Sequence, residues 1–253
     1  MRWLFLQSPP DDGPGNMGLD EALMARAART GDAVFRVYSW SGPTLSLGRN
    51  QRAKGDYDLD AARALGVGLV RRPTGGRALL HHHEITYSAT LPATSTDDAD
   101  AAYAFINDVL LDAIRTLGVP ALRATDTVSI PPGLRPCFDA PSEHEIVVGS
   151  RKLVGSAQWR RGGALLQHGS ILVRDDQSMI ASLMKSPITP PAAATLFDAL
   201  GRDPSVVEVA ALMRASLARH VAGDVAEFDD AHVVRDATAL RSTYSDDTWT
   251  WRR

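Results

Sequence analysis

The stretch RPCFDAPSEHE, Arg135 to Glu145, holds the only cysteine of the 253-residue chain, Cys137. A thiolate is the strongest nucleophile among protein side chains. A free cysteine is only a few per cent ionised at neutral pH, so a nucleophilic one benefits from a nearby cation. Lys152, fifteen residues on, sits inside the apolar pattern KLVGSAQW. A lysine at the start of a hairpin strand ordinarily faces solvent. The functional reading requires its amine to point at a thiol or a reacting carbonyl. A lone cysteine without context is ordinarily a small buried hydrophobe, and His144 and His168 are ordinarily structural. Ser170 has no convincing triad partners in the sequence.

A second group of chemistry-bearing residues is RRPTGGRALLHHHEITYS, with Arg71, Arg72, Gly75, Gly76 and His81 to His83. Adjacent glycines allow positive φ and close backbone approach to an anion or carbonyl. No GK[ST] follows, so this is no phosphate-binding P-loop, and the GxGxxG spacing of a dinucleotide site is absent. Taken alone, the stretch reads as a tight turn with solvated arginines. The three histidines invite a metal, but strand neighbours point to opposite faces, so at most two converge. No recognisable spacing of Cys, Asp or Glu completes a ligand set, and no metal site is expected.

The elements that must position these residues follow from periodicity and punctuation. Asn16 is a candidate cap for a helix through NMGLDEALMARAART, with Asp20 and Glu21 in its first turn. AVFRVYSW and PTLSLGR, separated by Ser41-Gly42, read as a strand pair. A short helix starts at Asp58 and stops at Gly66; VGLVRR, ALLHH and EITYSATL read as strands, the last half-buried by its alternation. DADAAYAFINDVLLDAIRTLG is the clearest amphipathic helix. Thr125 to Pro141, rich in proline and polar residues, reads as loop. HEIVV and KLVGSAQW join at the hairpin pair Gly149-Ser150, and ALLQHGSILV follows a turn at Arg161 to Gly163. From about residue 176 the pattern is helical, and the closing WTWRR is expected to be anchored by Trp249 or Trp251. The whole is α+β: one domain over residues 1–253, with a mixed, largely antiparallel sheet flanked by helices.

Composition is that of an ordinary globular protein, 44% hydrophobic and 23% charged. A net charge of -3 argues against a dedicated nucleic-acid binder. A single cysteine excludes an internal disulfide and suits a reducing cytosol. MRWLFLQSPP is too short and proline-broken for a signal peptide, and no stretch approaches the roughly 20 apolar residues of a membrane span. A cytoplasmic monomer is the expectation from these features.

In combination, NMGLDEAL, PTLSLGRNQ, RRPTGGRALLH and GSRKLVGSAQWRRGGALLQHGSILV, in this order, resemble the biotin/lipoate protein ligase superfamily. CFDAPS before the motif lysine brings the closest likeness to its lipoate-ligase-like octanoyltransferases. The resemblance covers the chain from the first helix to Val173 and is loose beyond it. It implies the superfamily's catalytic-domain fold, with Cys137 as acyl-thioester nucleophile and Lys152 tuning the thiol or acting as base. It also implies an acyl site shaped by Arg72, Gly75, Gly76, His81, Gly155, Ser156, His168 and Gly169. Octanoyl would pass from acyl carrier protein to a lysine of a lipoyl domain, in glycine-cleavage H protein or a 2-oxoacid dehydrogenase E2, with no cofactor. One departure is GGR, ending in Arg77, where many ligases have GGG. The alternatives are an ATP-dependent lipoate ligase, an amidotransferase between lipoylated proteins, and a non-catalytic member that only binds a lipoyl domain or acyl chain. Against the ligase, only about eighty residues follow the matched core, little for an accessory domain.

Overall fold

The computed structural model describes residues 1–93, 98–124, 145–186, 188–189 and 192–253. Cys137 and His144 lie outside these described residues. The chain opens with β1 (Trp3–Gln7), α1 (Gly13–Thr30), β2 (Ala33–Tyr38), β3 (Thr44–Leu47), α2 (Leu59–Ala64) and β4 (Gly68–Arg71). It continues through β5 (Leu79–His81), β6 (Glu84–Pro92), α3 (Asp98–Thr116), β7 (Leu122–Arg123), β8 (Ile146–Val148), β9 (Arg151–Arg161) and β10 (Ala164–Leu172). The rest is α4 (Met179–Leu183), α5 (Leu196–Leu200), α6 (Val206–Val221), β11 (Ala226–Glu227), α7 (Ala231–Ser245) and α8 (Asp247–Thr250).

Eight strands form one mixed sheet in the order β11-β1-β2-β6-β10-β9-β8-β7, and β4-β3-β5 form a second, small sheet. Period-2 alternation assigns the faces of the large sheet. Trp3, Phe5, Phe35, Val37, Ile85, Tyr87 and Ala89 pack under α3 and α6, with Ile106, Leu110, Val209 and Leu217. The intervening Leu4 and Val34 meet Leu23 of α1 and Val233 of α7 on the opposite face. Each fully buried side chain such as Phe35 or Leu110 contributes about 1.5–3 kcal/mol. The small sheet has its own core, Leu45, Leu47 and Leu80 against Leu183 of α4. No helix is long and apolar enough to cross a membrane among the described residues.

Several sequence expectations change. Helix α1 is capped by Asp12, whose side chain accepts from the Gly15 amide, with Pro14 in the first turn. Asn16 is therefore inside the helix, and Asp20 lies beyond its first turn, buried against the sheet. β2 and β3 are not partners: β2 pairs with β1 and β6, β3 with β4 and β5. The break at Ser41-Gly42 is a crossing between sheets, which suits strands buried on both faces. β6 alternates although neither face is wet: its polar residues Glu84, Thr86, Ser88 and Thr90 are all buried, and Thr86 lines a pocket. The apolar opening MRWLFLQ supplies strand β1. The hairpin turns at Gly149 and at Gly162-Gly163 are where expected, each with positive φ. Both C-terminal tryptophans anchor: Trp249 donates to the Arg71 carbonyl at 2.8 Å, and Trp251 packs on the small-sheet core.

Candidate active site

A narrow pocket opens where α1 and the small sheet meet the polar face of β6, β9 and β10. Arg72, His81, Gly155, Ser156, His168 and Gly169 are among the residues that line it. Met17, Tyr38, Trp40, Leu79, Thr86, Ala157 and Ser170 complete the wall. Methionine, leucine and ring faces interleaved with buried hydroxyls and imidazoles suit an apolar chain with one polar end.

Two hydrogen-bonded networks hold the polar wall. In the first, Arg36 donates through Nη1 to Asp20 Oδ1 at 2.7 Å, and both side chains are fully buried. Tyr38 and Ser88 also donate to Asp20, at 3.0 and 2.8 Å. His168 spans from Asp20 Oδ2 (3.1 Å, from Nδ1) to Thr74 Oγ1 (2.6 Å, from Nε2), tying α1 to the glycine loop. Burial pushes the Asp20 carboxyl up, but Arg36, His168 and Ser88 outweigh it and hold the group below the ordinary carboxylate range. Burial also lowers His168, more than Asp20 raises it, which keeps the imidazole neutral.

The sign of this linkage is definite. The unfolded chain protonates His168 near 6.5 while the folded chain resists it, so the contribution is complete above 6.5 and declines as pH falls through that value. Asp20 adds a further loss below its unfolded value of 3.8. The melting temperature should therefore fall between pH 7 and pH 5, and His168→Gln should flatten this part of the profile. An unchanged slope in that variant would remove His168 from the account.

In the second network His81 Nδ1 meets Glu84 Oε1 at 2.7 Å and His81 Nε2 meets Ser46 Oγ at 2.7 Å. Arg72 Nη1 donates to Ser46 Oγ at 2.9 Å, so the Ser46 hydroxyl is left to donate to Nε2. Ser170 donates to the same Glu84 oxygen at 2.9 Å, and the Trp40 indole stacks on the imidazole at 4.0 Å. Ser46, His81 and Glu84 thus stand in the order of a serine triad. Ser46, however, is fully buried in β3 and does not line the pocket, so the network orients His81 instead of arming a serine. Ser170 does find partners, through a fold that joins residues 46, 84 and 170.

Arg72 is not a solvated arginine. Its guanidinium donates to the Gly75 carbonyl from Nε (3.1 Å) and Nη2 (2.8 Å) and to the Arg77 carbonyl at 2.7 Å, curling the loop around itself. Gly75 and Gly76 form this turn beside the pocket without lining it, and Gly76 takes φ +92°. Gly48, in the PTLSLGRNQ stretch, abuts the turn: a Cβ there would stand 1.9 Å from the Gly76 oxygen. Arg71 is buried too, donating to the carbonyls of Gly48, Gln51 and Thr250. Burial, Arg252 and Arg253 lower its pKa to about 10. Gly169 is equally crowded, since a Cβ would lie 2.4 Å from the Gly155 oxygen and 2.8 Å from the Tyr87 ring. Gly169→Ala should cost about 1–3 kcal/mol by overpacking against the Gly155 backbone and the Tyr87 ring, on the face turned to α3. Chemical denaturation would register it.

Lys152 is 5% exposed, contrary to the ordinary place of a hairpin lysine. Its Nζ donates to Glu145 Oε1 at 2.6 Å, and Glu145 is likewise 5% exposed. β8 brings the two together across the Gly149 turn, its Val147 opposite Lys152. Glu145 was legible only as the residue after His144; its buried pairing depends on a register shift in β8–β9. Lys152 is not among the pocket-lining residues; it stands on β9 three positions before Gly155. His82 and His83 fall in the turn between β5 and β6, outside strand geometry, so their rings meet at 3.9 Å. Asp176, distant in sequence, reaches His82 at 2.7 Å.

Comparison with known proteins agrees with this architecture. Residues 12–218 match the family model for the lipoyl protein ligase A/B catalytic domain. The octanoyltransferase LipM of Symbiobacterium thermophilum is 36% identical, over 99% of this chain and 98% of its own length. LipM of Lysinibacillus sphaericus is 42% identical over 72% of this chain and 69% of its own. Among solved structures, lipoate-protein ligase A bound with ATP superposes with a TM-score of 0.81 at 26% identity, covering 99% of this chain and 98% of that one. The T. acidophilum protein Ta0514 with bound lipoic acid gives 0.80 at 25%, with the same coverage. With four-fifths of its length in the family model and a full-length relative above one-third identity, the chain belongs to the lipoyl protein ligase A/B catalytic domain family.

Proposed function

We propose that the chain is an octanoyltransferase that carries octanoyl from acyl carrier protein to a lysine of a lipoyl domain through a thioester on Cys137. The supporting observation is full-length similarity to an octanoyltransferase in a chain that has a cysteine fifteen residues before a buried, carboxylate-paired lysine.

The Cys137 thiolate attacks the donor's thioester carbonyl; the carbonyl–sulfur bond of the donor breaks, and the carrier's thiolate leaves and takes up a proton. The acceptor lysine amine then attacks the acyl-cysteine carbonyl, loses a proton and displaces the Cys137 thiolate. The first exchange is nearly balanced and the second is downhill, so neither step needs ATP. Protonated Lys152 supplies positive charge that favours the Cys137 thiolate and gives a proton to the departing carrier thiolate, and only the neutral amine so formed takes the acceptor amine's proton in the second step. Arg72, His81, Gly155, Ser156, His168 and Gly169 line the site of the acyl chain, and the Gly75-Gly76 turn holds Arg72 in place beside it. Glycine-cleavage H protein and E2 lipoyl domains are the acceptors, and the reducing cytosol keeps the single thiol available. Arg52 and Lys54, both exposed, and Arg253 offer positive charge toward acidic partners. Arg49 is half-buried instead, over the rings of Trp159 (4.8 Å) and Trp249 (5.6 Å).

Intact-mass measurement after incubation with octanoyl-carrier protein tests the reading. One octanoyl increment should appear and peptide mapping should place it on Cys137. Octanoylated H protein as donor should load the enzyme poorly. Pyrophosphate release from free lipoate and ATP should be absent; its appearance without any acyl-enzyme would replace the transferase with a ligase.

A further inference from the structure

We propose that His82, His83 and Asp176 form a binding site for one divalent ion of the zinc class, outside the acyl pocket. One ligand atom from each residue lies within 4.8 Å of the other two. Ligands about 2.1 Å from a common ion sit about 3.4 Å apart in a tetrahedral arrangement, so small side-chain rotations complete the chelate.

The two halves of the site are already held together by backbone. The His83 carbonyl accepts from the amides of Val173 (2.9 Å) and Arg174 (3.1 Å), which fastens the histidine turn to the segment leading to Asp176. Asp175 accepts from the Gln177 amide at 3.2 Å and the Ala193 amide at 3.0 Å, and the Asp176 carbonyl accepts from Met179 at 3.0 Å. Little conformational freedom is left for an ion to remove. Two arginines share this cleft and both are engaged elsewhere: Arg174 pairs with Asp203 at 3.0 Å and lies 3.8 Å over Phe197, and Arg151 donates to the Ala193 carbonyl at 3.1 Å. Asp175 adds negative charge beside the site.

Two imidazole nitrogens and one carboxylate oxygen select Zn²⁺, Co²⁺, Ni²⁺ or Cu²⁺ over Mg²⁺ and Ca²⁺, which prefer all-oxygen shells. His82 and Asp176 are half-buried and His83 is exposed, so water fills the remaining positions. A simple surface pair of His82 with Asp176 would explain the 2.7 Å contact but would not need the second ring alongside. The turn directly follows His81, whose ring lies in the pocket wall, so an ion here pins the junction of β5 and β6 to the end of β10.

The test uses the full chain, stripped with EDTA and freed of chelator. Calorimetric titration with Zn²⁺ should show one equivalent, and Co²⁺ should give visible d–d bands without a thiolate charge-transfer band. His82→Ala and Asp176→Asn should each weaken binding about 10-fold or more, while His232→Ala leaves it unchanged. Zn²⁺ should raise the melting temperature of the parent chain and of His232→Ala, but not of the two site variants. The proposal is overturned by an absence of saturable binding, by unchanged binding in both site variants, or by a thiolate band that moves the ion to Cys137.

Discussion

A Cys137→Ser chain is expected to show no octanoyl increment with octanoyl-carrier protein and to transfer octanoyl about 10³-fold more slowly or worse. Exchanging sulfur for oxygen keeps the shape of the side chain but removes the ionisable thiol, since a serine hydroxyl has no appreciable anion at neutral pH. A single cysteine makes the experiment clean, because no second thiol can take over. The arrangement Ser46–His81–Glu84 makes it sharper still. If Ser46 were the nucleophile, the Cys137→Ser chain would keep its adduct and Ser46→Ala would lose it. Ser46 is fully buried and receives a hydrogen bond from Arg72, which does not suit attack on a thioester. The expected pattern is therefore the reverse, with Ser46→Ala still acylated on Cys137. A Cys137→Ser enzyme that transferred octanoyl at the full rate would end the thioester mechanism.

The strands around this chemistry were legible because their hydrophobic periods and glycine turns are local. The β8–β9 hairpin and the amphipathic α3 follow from runs of a few residues, whereas the site residues on β9 and β10 came only with the family resemblance. What escaped depends on partners far apart in the chain. Asp20 looks like a first-turn acid favoured by the helix dipole, yet Arg36, Tyr38, Ser88 and His168 draw it into the interior. The polar alternation of β6 is the same whether its polar face meets water or a pocket, and only tertiary structure decides which. Strand neighbours diverge, so three consecutive histidines argued against converging ligands. His82 and His83 converge because the chain turns there, with Asp176 arriving from ninety-four residues away. Motif order pointed to the family, but the buried pairing of Lys152 with Glu145 is visible only through the strand register.

That partner yields a second large effect. Lys152→Met leaves the Glu145 carboxylate buried beside a methyl thioether, and breaking such a pair from one side costs about 3–5 kcal/mol. Loss of activity in that variant alone would not separate a catalytic lysine from a misfolded one. The double change Lys152→Met with Glu145→Leu removes both charges and should recover most of the stability, because well-packed apolar replacements of buried ion pairs are close to neutral. Transfer should stay abolished in the refolded double variant; recovered activity would exclude Lys152 from the reaction. Glu145→Gln provides the complementary measurement. The amide oxygen still accepts from Nζ, so the lysine keeps this contact while the carboxylate's negative charge beside it is removed. With more net positive charge toward the thiol, the acidic limb of the pH profile for Cys137 acylation should move to lower pH. A purely structural Glu145 would lower the denaturation midpoint and leave that limb where it stands. Movement of the limb at nearly unchanged stability would make Glu145 a positioning residue that sets how much of the Lys152 charge reaches the nucleophile.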